Sequence, residues 1–153
     1  MWVYRIAHRR YKEFTLSGIG AEKTGGRWNE AGTRAVYCSE HISLALLEYY
    51  VHTSNTGTLP KEILVARIYI PDDFTFMELE DLPAGWNRYP YTSSSAKVFG
   101  ELVKDTGFFA LKVPSAIVGV EYNYVLNPLF PDFGKVRIDY FIELPLDPRL
   151  IQR

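Results

Sequence analysis

The stretch EHISLALLEYYVH, from Glu40 to His52, places the strongest limit on what this chain can fold into. Ile42, Ala45, Leu46, Tyr49 and Tyr50 recur at helical spacing, while Leu44, Leu47 and Val51 fill the other faces. The segment therefore reads as a helix of about three turns that is apolar nearly all round. A helix of that kind is expected to be buried, against a sheet or other helices large enough to enclose it. Ser39 stands where an N-cap belongs, and Glu40 where the positive end of the helix dipole favours an acid. Glu48 interrupts the apolar run, and a carboxylate there is costly unless it is paired, hydrogen-bonded or kept for chemistry.

Around this helix the chain reads mostly as strands. Val3, Arg5 and Ala7 interleave with Tyr4, Ile6 and His8 in a β-prone opening, RAVYCS gives a brief strand ending at Ser39, and a stronger strand runs from about Ile63 to Ile70. FFALKV up to Pro114, AIVGVEYNYVLNP and KVRIDYFIEL follow as further strands. Leu82 to Ser95, LPAGWNRYPYTSSS, is a long loop in which Pro83, Gly85 and Pro90 forbid regular structure, and long ordered loops tend to carry a site. Ser93, Ser94 and Ser95 then offer caps for a second helix over AKVFGELVKDTG. Strands outnumber helices in mixed order, which predicts an α+β class: one domain over residues 1–153, with a mixed, mainly antiparallel β-sheet core and flanking helices.

Composition narrows the function. Cys38 is the only cysteine, which excludes an internal disulfide framework and fits a reducing, cytoplasmic setting. No leader-like opening and no run of about eighteen apolar residues is present, so neither secretion nor a membrane span is expected. Net charge is −1, but residues 1–37 carry seven Lys/Arg against three Asp/Glu. A near-neutral domain is a poor match for long nucleic acid, whose affinity comes from neutralising many phosphates, and direct nucleic-acid binding is not expected. A small phosphorylated ligand suits the charge balance better. Eleven tyrosines point either to flat ligands or to a tyrosine-rich core.

Several chemistries fall away. His41 and His52 lie eleven residues apart on one helix, about three turns, so they cannot share a metal, and with His8 they are the only histidines. Cys38 among apolar strand neighbours reads as an inert core thiol. GIGAEKTGG lacks the ending of a P-loop and the spacing of a dinucleotide fingerprint. What remains is GGRWNEAG, a glycine-bracketed loop that presents Arg27, followed by Tyr37 on the next strand and Glu48 on the helix. An arginine fork for phosphate, an aromatic face for a planar ring and a carboxylate to stabilise an oxocarbenium-like ribose are the parts needed to break the nicotinamide–ribose bond of NAD. The bland alternative is that Arg27 braces the loop and pairs structurally with Glu48.

GGRWN, AVYCSE, SLALLE and VPSAIVGVEYNYVLNP, in this order over nearly the whole chain, resemble the RES-domain family, toxins of bacterial toxin–antitoxin pairs with an Xre-type antitoxin. The resemblance implies a fold like that of ADP-ribosyltransferases and an NAD-consuming activity, with NAD as substrate and no metal or further cofactor. It puts the family's Arg, Glu and Ser at Arg27, Glu48 and Ser115, with Tyr37 in a matching motif. Arg27 would hold the NAD pyrophosphate or ribose, Tyr37 would line the nicotinamide pocket, Glu48 would stabilise the ribosyl cation, and Ser115 would complete the site. Asn29, Asn123 and Asn127 lie in matching stretches, Asn29 and Asn123 as candidate NAD contacts and Asn127 as an equal candidate for setting a turn. SAKVFGELVKDTG matches loosely and lacks an expected tryptophan. The leading expectation is a toxin that depletes NAD as a glycohydrolase or phosphorylase. The alternatives are an ADP-ribosyltransferase with a protein acceptor and a non-enzymatic binding module. The expected partner is an antitoxin that blocks the cleft, with the basic N-terminal third, including Arg9 and Arg10, facing an acidic segment of it; a homo-oligomer is left open.

Overall fold

The computed structural model describes residues 1–53, 62–145, 147 and 149. Among the described residues seven strands form one sheet: β1 (Trp2–His8), β2 (Val36–Ser39), β3 (Ile63–Tyr69), β4 (Phe76–Glu78), β5 (Ala110–Pro114), β6 (Tyr122–Leu126) and β7 (Arg137–Glu143). Their spatial order is β4-β5-β6-β2-β1-β3-β7, with β4–β5 parallel and every other pair antiparallel. The α-helices are α1 (Ile19–Thr24), α2 (Ile42–Thr53) and α3 (Ser93–Leu102), and 3-10 turns occupy Arg9–Phe14 and Phe133–Lys135. This is the expected α+β class with a mainly antiparallel sheet.

Strand alternation decides what each face buries. Tyr4 registers with Ser39, Ile6 with Val65, Tyr37 with Val125, and Val125 with Leu111, so these side chains share one face. α2 covers the β1–β3 part of that face, packing Ala45, Ile42, Leu46 and Tyr49 on Ile6, Ile63 and Val65. α3 covers the β2–β6–β5 part, where Phe99 meets Trp28, Leu111, Val113 and Val125. The opposite face carries Val3, Val36, Cys38, Ile68, Tyr124 and Leu126, closed over by Leu16, Phe74, Phe130 and Phe133. The two clusters under α2 and α3 remain separate, and the space between them is the origin of the cleft.

The sheet itself parts at the same place. All seven residues of β1 register with β3 and all four of β2 with β6, yet β1 and β2 share the single register pair Tyr4–Ser39. Beyond it Arg5 bridges the gap, Nη1 donating to the Tyr37 carbonyl at 2.7 Å. The sheet's outer edges are blunted: β4 is three residues long, and β7 carries an irregularity opposite Arg67 and Ile68.

Several elements depart from the sequence reading. α2 forms within the expected stretch but begins at Ile42, two residues late, and is not enclosed: Leu44 and Ala45 are buried, while Leu47 and Val51 face solvent. One sheet face can cover only one side of a helix, and among the described residues α3 lies over the other half of the sheet rather than on the back of α2. The strand expected over AIVGVEYNYVLNP is confined to Tyr122–Leu126, because Ser115 N–H bonds to Glu121 O and the intervening residues turn. α1, β4 and both 3-10 turns were not anticipated. Asn127 does set a turn: Nδ2 donates to Phe108 O at 2.9 Å, and Oδ1 accepts from Leu129 N at 3.0 Å. No helix among the described residues is long and apolar enough to cross a membrane.

Phe99 is wholly buried at the centre of the cluster under α3. Phe99→Ala is expected to cost about 3–5 kcal/mol of stability, read as a lowered urea midpoint.

Candidate active site

The glycine-bracketed loop is built for close approach. Gly25 has φ of +69°, a left-handed conformation that disfavours side chains. A Cβ at Gly26 would sit 2.7 Å from the Tyr37 hydroxyl and 2.9 Å from Asn29 Oδ1, so only glycine lets the loop lie against β2. Asn29 is fully buried and spends its amide on the loop: Nδ2 donates to the carbonyls of Ala21, Glu30 and Thr33, and Oδ1 accepts the Tyr37 hydroxyl at 2.7 Å. The Tyr37 oxygen in turn accepts from Trp28 N at 3.1 Å. Burial pushes the Tyr37 phenol well above its ordinary range, against the smaller pull of its hydrogen bonds at Trp28 and Asn29.

Arg27 reaches across to the loop between β4 and α3. Its Nη1 donates to Trp86 O at 2.5 Å and to Arg88 O at 2.8 Å, while Trp28 stacks on Trp86 with ring centroids 6.0 Å apart. The loop ahead of α3 is thereby held beside the cleft, and its Tyr89 and Tyr91 help line it. Ser93–Ser95, expected as loop and caps, instead form the first turn of α3, which Thr92 caps. In this structure Arg27 contacts loop carbonyls, and no bond joins it to Glu48, so the structural Arg27–Glu48 pair does not form.

Glu48, half-buried on α2, is held from β6 and from the residue after β5. Its Oε1 accepts from Asn123 Nδ2 at 2.6 Å and from Ser115 Oγ at 2.8 Å. Ser115 is 1% exposed, and its oxygen accepts the backbone N–H groups of Ile117 and Val118, both at 3.0 Å. With its acceptor capacity taken by two backbone donors, the hydroxyl proton goes to the carboxylate. Ser39 Oγ donates to Asn123 Oδ1 at 2.6 Å rather than serving the helix cap expected of it.

A cleft of about 330 Å³ gathers Arg5, Arg27, Tyr37, Ser39, Glu48 and Asn123 on its walls, among apolar and aromatic neighbours. Arg5 was not singled out by the sequence reading. Its Nη1 is spent on Tyr37 O, but its Nε is enclosed and has no acceptor among the described residues. Burial lowers its pKa, and the neighbouring Cys38 and Tyr37 work in the opposite direction. The signal available in the sequence was a lone arginine inside the otherwise apolar run VYRIA. Cys38 is 2% exposed and its thiol is pushed up to about 12, chiefly by burial, which fits the inert role expected of it. Among the described residues, Glu40, His41 and Glu121 place ligand atoms within 4.8 Å of one another, close enough to hold a cation. Glu40 Oε1 is already bonded to Tyr122 N at 2.7 Å, and exposed acids often gather this way without a metal.

Comparison with known proteins places the chain in a family. The RES domain model matches residues 3–147, and the chain belongs to the RES-domain family. It is 37% identical over 134 residues to "Toxin Res" of Yersinia enterocolitica, covering 87% of this chain and 88% of that protein. It is 35% identical over 156 residues to the "Prs ADP-ribosylating toxin" of Sphingobium, covering 99% and 96%. Its fold matches a chain of the solved MbcT-MbcA toxin-antitoxin complex of M. tuberculosis with a TM-score of 0.77 and 17% identity, over 98% of this chain and 86% of that one.

Two outcomes follow from the buried groups. Tyr37→Phe strands Asn29 Oδ1 and Trp28 N–H without a partner, and is expected to lower stability by about 1–3 kcal/mol in urea unfolding. Cys38 titrates near 12 when folded and near 8.5 when unfolded, so its share of stability is intact below about 8.5 and is lost as pH rises toward 12. Iodoacetamide at pH 8 is expected to leave the native thiol unmodified and to alkylate it once urea unfolds the chain.

Proposed function

We propose that this chain is the toxin of a toxin–antitoxin pair and acts by consuming NAD at the cleft between α2 and the β2–β6 strands. The single observation that carries the chemistry is the carboxylate of Glu48, fixed by Ser115 and Asn123 in a cleft that also holds Arg5 and Tyr37. A carboxylate oriented before substrate arrives stabilises positive charge developing at the anomeric carbon without reorganising during the reaction. The cleft's volume suits the nicotinamide riboside half of the dinucleotide, the rest extending toward the open mouth.

In the proposed reaction NAD binds with the nicotinamide against the face of Tyr37 and a phosphate or ribose oxygen on the Arg5 guanidinium. The bond between C1′ and the pyridinium nitrogen breaks, its electron pair returns to the ring, and nicotinamide leaves neutral. Glu48 stabilises the ribosyl cation. Water or phosphate adds at C1′ and gives up a proton. Arg27 supports this site through its hold on the Trp86–Arg88 backbone and meets the pyrophosphate where the loop leaves room. Asn123 acts on Glu48, Asn29 acts on the loop, and neither metal nor further cofactor enters.

A relative named as an ADP-ribosylating toxin, aligned over nearly the whole of both chains, favours a second reading in which a protein side chain captures the same cation. The solved neighbour is a toxin in complex with its antitoxin, and we infer the same kind of partner here, an Xre-family antitoxin that blocks the cleft in a bacterial cytoplasm.

Purified protein incubated with NAD, with and without phosphate, is expected to release nicotinamide, and Glu48→Gln and Arg5→Ala to lower the rate by about a hundredfold or more while remaining folded. Dependence on phosphate selects phosphorolysis. Label from NAD retained on a protein in added lysate selects transfer. Wild-type protein that releases no nicotinamide and labels no protein overturns the reading.

A further inference from the structure

Ser39 reads as a helix cap in the sequence, yet α2 starts three residues later, at Ile42, and the Ser39 hydroxyl points to Asn123 instead. Ser39 and Asn123 are register partners on β2 and β6, so their side chains leave adjacent backbone positions on the same face. Ser39 is 4% exposed, which leaves water little access to its hydroxyl.

The chemistry of the three groups orders them without ambiguity. A carboxylate only accepts hydrogen bonds, so the end of the Asn123 amide lying 2.6 Å from Glu48 Oε1 must be the NH2 group. Its oxygen then faces the other way, where it requires a donor, and Ser39 Oγ supplies one at 2.6 Å. The two hydrogen bonds on Glu48 therefore have different supports. That from Ser115 is anchored by the backbone N–H groups of Ile117 and Val118, and that from Asn123 is backed, among the described residues, by the Ser39 hydroxyl on the far end of the amide. The carboxylate selects the end of the amide that faces it, and the Ser39 hydroxyl pins the other end; without that second bond the amide is free to swing off Glu48, which would lose one of its two holds.

We infer that Ser39 is a positioning residue for the reaction, pinning the Asn123 amide in place and through it the carboxylate of Glu48. The inference rests on Glu48 acting in the cleft, as proposed above, and does not depend on which acceptor captures the ribosyl group.

The test compares Ser39→Ala, Ser39→Thr, Asn123→Ala and the Ser39→Ala/Asn123→Ala pair. The readouts are nicotinamide release across NAD concentrations and, in parallel, growth arrest on induced expression, with thermal unfolding as the check on folding. Ser39→Ala is expected to lower kcat about tenfold with KM unchanged, since the bond it removes acts on the carboxylate rather than on NAD. Ser39→Thr keeps the hydroxyl and is expected to restore most of the rate. In the Asn123→Ala background Ser39→Ala is expected to add nothing, because its effect passes through that amide.

A wild-type rate in Ser39→Ala overturns the inference, as do losses that multiply in the double variant. Equal losses in Ala and Thr variants with lowered melting assign Ser39 a structural role only. If the wild type arrests growth while neither releasing nicotinamide nor labelling a protein in added lysate, NAD cleavage fails as the reading, while the same four variants scored by growth still decide the role of Ser39.

Discussion

The parting of β2 from β1 is the constraint from which the site follows. Bonding along the full length of β1 and β2 would close the sheet beneath the cleft. Here the pair touches at Tyr4 and Ser39, and a charged side chain, Arg5, spans the opening to reach the Tyr37 carbonyl. Placing a guanidinium in that gap opposes its own desolvation, since burial works against the charge. One N–H of the guanidinium is satisfied by the Tyr37 carbonyl, while the enclosed Nε has no acceptor among the described residues. The separate clusters under α2 and α3 complete the division, each helix covering its own half of the sheet.

The GGRWN loop is a scaffold as much as a site. Gly26 admits Tyr37, Tyr37 and Asn29 hold one another, Trp28 packs on Trp86, and Arg27 grips the carbonyls of the aromatic loop. Residues that match a family motif thus divide between positioning the cleft wall and facing what enters it. On the other wall, Glu48 is governed from residues after β5 and on β6, elements far from it in sequence but adjacent across the cleft. An enzyme that must stabilise a cation gains from such preorganisation because the carboxylate does not have to move as charge develops.

Much was determined by the sequence itself. Alternating apolar residues mark most of the strands, helical spacing marks α2 and α3, and their order yields the α+β class, because each signal is local and set by backbone period. Arg27, Tyr37 and Glu48 stand out as chemistry-bearing groups and Ser115 is added by the family resemblance; the first three come to one cleft, with Ser115 bonded to the last of them. Tertiary structure alone decided how these groups are used. Arg5 meets Tyr37 across 32 residues, Arg27 meets Trp86 across 59, and Ser39 meets Asn123 across 84. No local pattern carries such partners: Ser39 has the composition of a cap and becomes a hydrogen-bond donor to a neighbouring strand, and Leu47 and Val51 have the composition of a core and lie open to solvent. A side chain's type states what it can bond or bury. Which partner lies within about 3 Å is settled by the sheet order and the gap left where β1 and β2 part.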